Sequence, residues 1–249
     1  MRNPAGLQDL DSARIDAVSL DVGGVLVVPD GDVLAAALDD AGVAYDRSRF
    51  VEGHYRAMAE VDRCLSEPEE FSDYQRGFLR AIGTPDEQLE TGAAALATAL
   101  VPAVWHQPIH GAVEAARRLL DAGVRLAVTS NADGTVADML RRHGIAQIGD
   151  GPGVAVEHVS DSGVIGKAKP DAAMFLTTAE ALSLPPARIC HIGDSAHYDA
   201  EGAAAVGMMA VHVDPYGLCP RRHHHATSLA DLVQRLVDVG APKSRRQAD

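Results

Sequence analysis

Short apolar segments alternate with amphipathic ones along most of the chain. A long strandless stretch interrupts them once, and polar residues recur where the apolar segments end. Together these predict an α/β protein: a doubly wound, Rossmann-like parallel sheet with a helical cap domain. Residues 17–22 read as the first strand, an apolar run stopped by Gly23-Gly24. Residues 111–122 have the spacing of an amphipathic helix, closed by Gly123 as a C-cap. Further strands are expected at 124–129, 154–159, 188–192 and 209–213, and further helices at 134–143, 171–181, 199–206 and 228–239. Residues 29–108 hold no convincing strand and read as helices over 32–41, 47–64, 68–82 and 85–100. A strand-to-strand crossover needs only a dozen or so residues, so this stretch is expected to be an inserted helical module. It leaves the sheet after the first strand, at the strand ends where ligands bind in open α/β sheets. The expected division is therefore a core of 15–28 and 109–240, a cap of 29–108, and flexible arms at 1–14 and 241–249.

The chain has 249 residues, 47% hydrophobic and 23% charged, which excludes a disordered, collagen-like or coiled-coil protein. Lys and Arg total 22 against 35 Asp and Glu, a formal net charge of −13. Such a surface repels phosphate backbones and anionic lipid, so neither nucleic acid nor membrane is an expected partner. No apolar run approaches the ~20 residues that span a bilayer, and the first residues lack a signal-peptide core. A soluble, cytoplasmic protein is expected, as monomer or homodimer. Cys64, Cys190 and Cys219 are odd in number and form no CxxC, which argues against a disulfide framework and a structural zinc site. His223-His224-His225 reads as a solvated loop, because consecutive side chains on irregular backbone rarely converge on a metal.

Four polar groups fall at predicted strand ends: Asp21, Ser130-Asn131, Lys169 and Asp194, the last followed by Asp199. A parallel sheet gathers such ends on one edge. Carboxylates there can hold a hard cation such as Mg²⁺, and a hydroxyl and an ammonium can hold anionic oxygen. That combination suits phosphoryl transfer, where positioning and charge stabilisation dominate. Taken singly, each residue also fits a cap, a turn or a helix entry.

In order along the chain, Leu20-Asp21-Val22-Gly23-Gly24-Val25-Leu26, Val128-Thr129-Ser130-Asn131, Gly166-Lys167-Ala168-Lys169-Pro170 and Ile192-Gly193-Asp194-Ser195 with Asp199 resemble the four motifs of the haloacid dehalogenase-like hydrolases. The resemblance covers nearly the whole chain, cap included. It implies Asp21 as a nucleophile that forms an aspartyl-phosphate, with Ser130 and Lys169 as its catalytic companions. Ser130, Asn131, Lys169 and Gly24 would bind the substrate, a small phosphorylated metabolite. Mg²⁺ would be held by Asp21, the Gly23 carbonyl, Asp194 and Asp199, with Asp199 orienting its waters or Lys169.

The chain departs from the pattern at Gly23, where most phosphatases of the family carry the Asp that protonates the leaving group. Three consequences stay open. The leaving group departs unprotonated, as from an acyl, anomeric or aryl phosphate. Or His197, His54 or His106 supplies the proton. Or the protein is a weak or inactive relative that binds a metabolite or a protein partner. Asp194 favours metal-dependent phosphoryl chemistry over 2-haloacid dehalogenation, the remaining alternative. The absence of lysine from residues 29–108 removes the phosphonate-cleaving branch, and Gly23 demotes a phosphomutase. His191 is expected in the core, His143 at a helix end, and Trp105 as a packing residue near the cap hinge. The segment from Gly163 to Lys167 lacks P-loop spacing.

Overall fold

The structure is a computed structural model that describes residues 15–64 and 72–233. The expected flexible arms, the first residues of the helix expected from 68 and the end of the one expected over 228–239 lie outside the described residues. The chain enters at β1 (Ala17–Leu20) and β2 (Val27–Val28). It then builds α1 (Gly31–Asp40), α2 (Phe50–Cys64), α3 (Ser72–Ala81) and α4 (Leu89–Ala99), and returns through β3 (Gln107–Pro108). The remainder runs α5 (Ala112–Asp121), β4 (Arg125–Ser130), α6 (Val136–Arg142), β5 (Ala146–Ile148), β6 (Val154–Val156), β7 (His158–Asp161), α7 (Ser162–Ile165), α8 (Ala172–Ala181), β8 (Ile189–Gly193), α9 (Gly202–Ala205), β9 (Met209–Val213) and β10 (His224–Ala226).

Six strands form one sheet in the order β10-β9-β8-β1-β4-β7. Every neighbouring pair is parallel. This is the predicted doubly wound α/β fold. β1 lies between β8 and β4 and is buried on both faces, which is why it reads as an unbroken apolar run. Strand alternation sends Val18 and Leu20 into one core cluster and Ala17 into the other, against Met174 and Phe175 of α8. Ser19 is buried too, and begins a polar seam. Its hydroxyl lies 2.7 Å from that of Thr129, Thr129 lies 2.7 Å from Thr178, and Thr178 lies 2.8 Å from Ser160.

Local chemistry sets the helix ends. Asp30 caps α1 by accepting from the Asp32 and Val33 N–H groups, and Asp171 caps α8 through the Ala173 N–H. Gly123 follows α5 at φ +82°, a left-handed position that suits glycine. Helices α1–α4 enclose their own core of Leu34, Leu38, Tyr74, Phe78, Leu79 and Leu96. Chain entry and exit of this module pair as a short antiparallel ribbon, Val27 with Pro108 and Val28 with Gln107.

Beyond the short β2, β3, β5 and α7, which the sequence does not predict, three elements differ from expectation. The strand expected over 154–159 is two: β6 pairs with β5 in a separate small sheet, and β7 joins the main one. Glu157 stands between them, its N–H bonded to the Leu126 carbonyl. The helix expected from 199 begins earlier as a wide π turn, Ala196–Glu201, capped by the Ser195 hydroxyl accepting from the Tyr198 N–H. The loop expected around His223-His224-His225 is not irregular: His224–Ala226 is the edge strand β10, in parallel register with β9. Among the described residues no helix is long and apolar enough to cross a membrane.

Candidate active site

The ends of β1, β4 and β8 and the segment before α8 open into one cleft of about 470 Å³. Asp21, Gly23, Ser130, Asn131, Lys169, Asp194 and Asp199 all line it. Its opposite wall is supplied by α1–α4 and their exit segment: His54, Met58, Val61, Tyr74, Leu100 and Trp105.

Lys169 is the hub. Its Nζ lies 2.8 Å from Asp21 Oδ1 and 2.6 Å from Asp199 Oδ1, and its side chain is 2% exposed. Burial alone would lower its pKa, but the Asp199 and Asp21 carboxylates outweigh burial and hold the ammonium above the ordinary lysine range. Asp21 responds in the opposite sense. Burial, seconded by Asp199 and Asp194, pushes its carboxyl up to about 7 against the pull of Lys169. Its Oδ1 also accepts from the Val22 N–H at 2.7 Å, so two donors fix the carboxylate plane. Burial would raise Asp199, yet Lys169 and His191 hold it below the usual carboxylate range.

Asp199 is fully committed within the protein. Oδ1 accepts from Lys169 and from His191 Nε2 at 2.9 Å, and Oδ2 accepts from the Ser195 N–H at 3.1 Å. It shares a cluster with Asp21 and Asp194 whose ligand oxygens lie within 4.8 Å of one another. His191 is in the core as expected, and there it is a positioning residue. Nε2 faces Asp199, so it carries the proton, and Nδ1 accepts from Ser19 at 3.1 Å. Burial lowers its pKa and keeps it neutral. The polar seam thus runs from Asp199 through His191 and Ser19 to Thr129, Thr178 and Ser160.

Two expected substrate ligands have other work in the structure. Asn131 donates from Nδ2 to the Lys169 carbonyl at 3.1 Å and accepts the Lys169 N–H on Oδ1 at 2.7 Å. Its side chain is spent holding the lysine's backbone. Gly24 donates its N–H to the Val27 carbonyl at 2.8 Å, and its carbonyl accepts the Tyr55 hydroxyl at 2.7 Å. Both groups therefore hold the framework of the site, and Asn131 also lines the cleft. Gly24 stands at φ +63°, and a Cβ there would lie 2.1 Å from Asp194 Oδ2. The glycine therefore makes room for that carboxylate.

Of the three candidate proton donors, only His54 faces the cleft. Its Nε2 is 2.8 Å from Asp194 Oδ2 and its Nδ1 is 2.9 Å from the Tyr74 hydroxyl, so both nitrogens are engaged. His197 pairs with Glu201, while His106 pairs with Asp30 and stacks on His143. Trp105 does more than pack near the hinge. A Cβ at position 23 would touch its ring at 3.5 Å, and it also stacks edge-on against His54. Asp62, at the end of α2, has no signature in the sequence. It is buried, and it accepts from the Ser195 hydroxyl and the N–H groups of Ala196 and His197 at 2.6, 2.6 and 3.0 Å.

A buried carboxyl, a buried lysine and two further carboxylates meet at strand ends opposite a helical module, the charged crevice of a doubly wound α/β protein. The chain belongs to the haloacid dehalogenase-like hydrolases, whose family model matches residues 15–207. It is 30% identical over 212 residues to haloacid dehalogenase-like hydrolase domain-containing protein 3 of Mus musculus, with 81% of each chain covered. Among solved structures it resembles a dehalogenase with an intermediate complex, at TM-score 0.61 and 18% identity, over 90% of this chain and 98% of that one. It also resembles a family hydrolase from Deinococcus radiodurans R1 with bound phosphate and sodium, at TM-score 0.58 and 23% identity, over 93% and 99%.

Proposed function

We propose that the protein is a Mg²⁺-dependent phosphatase acting on a small organic phosphate with a good leaving group. One observation carries the reading: Asp21, Asp194 and Asp199 meet in a buried cleft against a single ammonium, that of Lys169. Three carboxyl groups against one ammonium call for further positive charge, and their hard oxygens suit Mg²⁺. Asp21, Asp194 and the Gly23 carbonyl would hold the ion, with Asp199 acting on its waters or through Lys169. When bound, it supplies charge that keeps Asp21 ionised and draws electron density from phosphoryl oxygens.

The chain's own residues then have defined work. Asp21 attacks phosphorus, and the bond to the leaving oxygen breaks with its electron pair on that oxygen. Lys169 neutralises charge on nucleophile and phosphoryl group, and Ser130 donates to a phosphoryl oxygen. Water attack on the aspartyl-phosphate releases inorganic phosphate and regenerates Asp21. Gly23 brings no acid, and the Trp105 ring lies against the adjoining space. Loss of general acid help costs about 10²–10⁴-fold, which selects acyl, aryl or anomeric phosphates. The apolar wall of Met58, Val61, Tyr74, Leu100 and Trp105 suits a substrate with an apolar body.

The test is phosphate release from p-nitrophenyl phosphate, acetyl phosphate and glycerol phosphate, with Mg²⁺ and with EDTA, beside halide release from 2-chloropropionate. Mg²⁺-dependent turnover of the first two, absent in Asp21→Asn, is the expected result. Halide release without metal would replace this reading with the dehalogenase one. Phosphate binding without any turnover would establish a binding protein.

A further inference from the structure

Beside Asp194, at the β9–β10 edge of the sheet, lies a cluster the catalytic reading does not use. His212, Cys219, His223 and His225 each offer one ligand atom, and all four atoms lie within 4.8 Å of one another. We propose that this cluster is a structural zinc site. The count of cysteines argues against zinc only when histidines are left out of the donor set.

Sheet register explains the convergence. His225 is the direct partner of His212 across the parallel β9–β10 pair, so both side chains stand on one face. His223 lies two residues before His225 and returns to that face, while strand alternation turns His224 away. The rings of His223 and His225 stack at 4.4 Å. His212 Nδ1 lies 3.0 Å from His223 Nε2, and Cys219 Sγ lies 3.8 Å from the same nitrogen. A tetrahedral zinc with ordinary bond lengths sets nitrogen–nitrogen edges of about 3.3 Å and sulfur–nitrogen edges of about 3.6 Å. Both observed separations lie within a few tenths of an ångström of those values.

The surroundings also match a metal site. His212 Nε2 donates to the Asp194 carbonyl at 2.9 Å. This fixes its proton on Nε2 and leaves the Nδ1 lone pair facing the cluster, the orientation that metal-bound imidazoles usually receive from a carbonyl or carboxylate. His225 contacts Asp214 Oδ2 at 3.6 Å and the Arg221 carbonyl at 3.2 Å, and one of these contacts gives way when the ring turns to the ion. A cavity of about 360 Å³ runs from Asp62 and Arg63 to His212 and Cys219 and gives the ion an entry path. One thiolate with three imidazoles suits zinc, a borderline-soft ion that prefers four ligands. The ion would pin the segment between β9 and β10. From that segment Arg221 bonds the Asp62 carbonyl at 3.0 Å as well as Glu201, so the site braces the core against the cap.

The test uses the full chain purified without a polyhistidine tag. Elemental analysis should find about one zinc per chain, kept in Asp21→Asn and lost in Cys219→Ser and His223→Ala. Titration of metal-free wild type with Co²⁺ should give a thiolate-to-cobalt charge-transfer band and the strong visible bands of tetrahedral cobalt, both abolished by Zn²⁺. This second readout needs no variant to fold and no turnover, so it stands apart from the phosphatase assay. Wild type without zinc and without a thiolate–cobalt band overturns the proposal. So does zinc that is retained fully in Cys219→Ser.

Discussion

Position 23 carries no side chain, and the Trp105 ring lies within contact of the point where one would begin. That separation, 3.5 Å, is ordinary van der Waals contact, so an Asp is accommodated there beside the indole. Gly23→Asp is therefore expected to raise hydrolysis of glycerol phosphate by roughly 10²-fold, with or without Trp105→Ala. The comparison of alkyl and aryl phosphates with each variant checks this. Asp21 has a pH signature of its own. Its carboxyl rises to about 7 in the folded protein, above its unfolded value, so the native state binds the proton more tightly. Without metal, stability from this group is greatest at low pH and falls as pH rises from about 4 through about 7. Metal-free Asp21→Asn should therefore melt higher than wild type at pH 8. That margin should narrow as pH falls toward 4. A constant margin in calorimetry would refute it. Asp21, Lys169 and Asp194 are legible in the sequence because each ends or follows a strand and their motifs occur together in order along the chain. The contacts of His54 with Asp194, Asp62 with Ser195, His191 with Ser19 and Trp105 with Gly23 are not, because each joins residues 82 to 172 positions apart.

Helix α2 reaches the core through His54, Tyr55 and the Asp62 carboxylate. Asp62 gathers a hydroxyl and two N–H groups at the mouth of the π turn that follows β8, and this contact sets where α2 stands over the cleft. Asp62→Ala should cost about 2 kcal/mol, because it strands buried donors, and should raise KM more than it lowers kcat. Loss of melting temperature with an unchanged KM would place the contact outside substrate closure. Gly24 is the complementary case at the end of β1. Gly24→Ala adds a Cβ into Asp194 at a left-handed backbone position. It should abolish Mg²⁺-dependent activity while leaving far-ultraviolet dichroism unchanged. The elements that escape sequence reading share a cause. β10 has three residues, and its neighbour β9 is eleven residues back, so periodicity within either segment says nothing of their register. The split of β6 from β7 turns on one residue, Glu157, whose N–H joins the main sheet. By contrast, the order of strand and helix, and the strandless stretch between β2 and β3, are visible because they extend over many residues.

Across the whole molecule, a net charge of −13 surrounds a cleft that is itself rich in carboxylates. A cation is drawn to such a field and an anionic metabolite is repelled by it until the cation is in place. Binding should therefore be ordered, with Mg²⁺ first. Saturating Mg²⁺ at a hundred times its Kd should stabilise the protein by about 2.7 kcal/mol. Thermal denaturation should show the shift in wild type and lose it in Asp194→Asn. Phosphate or vanadate alone should then give no shift without Mg²⁺. A thiol titration completes the picture. Cys190 is fully buried, and burial pushes its thiol up to about 12. It should react with a thiol reagent only after denaturation, whereas Cys64 is exposed and should react at once.

The hydroxyl seam inside the sheet has a bearing on which histories are open to this sequence. Ser19, Thr129, Thr178 and Ser160 satisfy one another in a core that offers water no access, so losing any one strands its neighbours. Thr178 and Ser160 form the outer end, and an apolar pair can replace them together more cheaply than either alone. Ser19 cannot follow, because His191 depends on it and Asp199 and Lys169 depend on His191. Substitution can therefore erode the seam from one end only, and Lys169 marks where erosion stops.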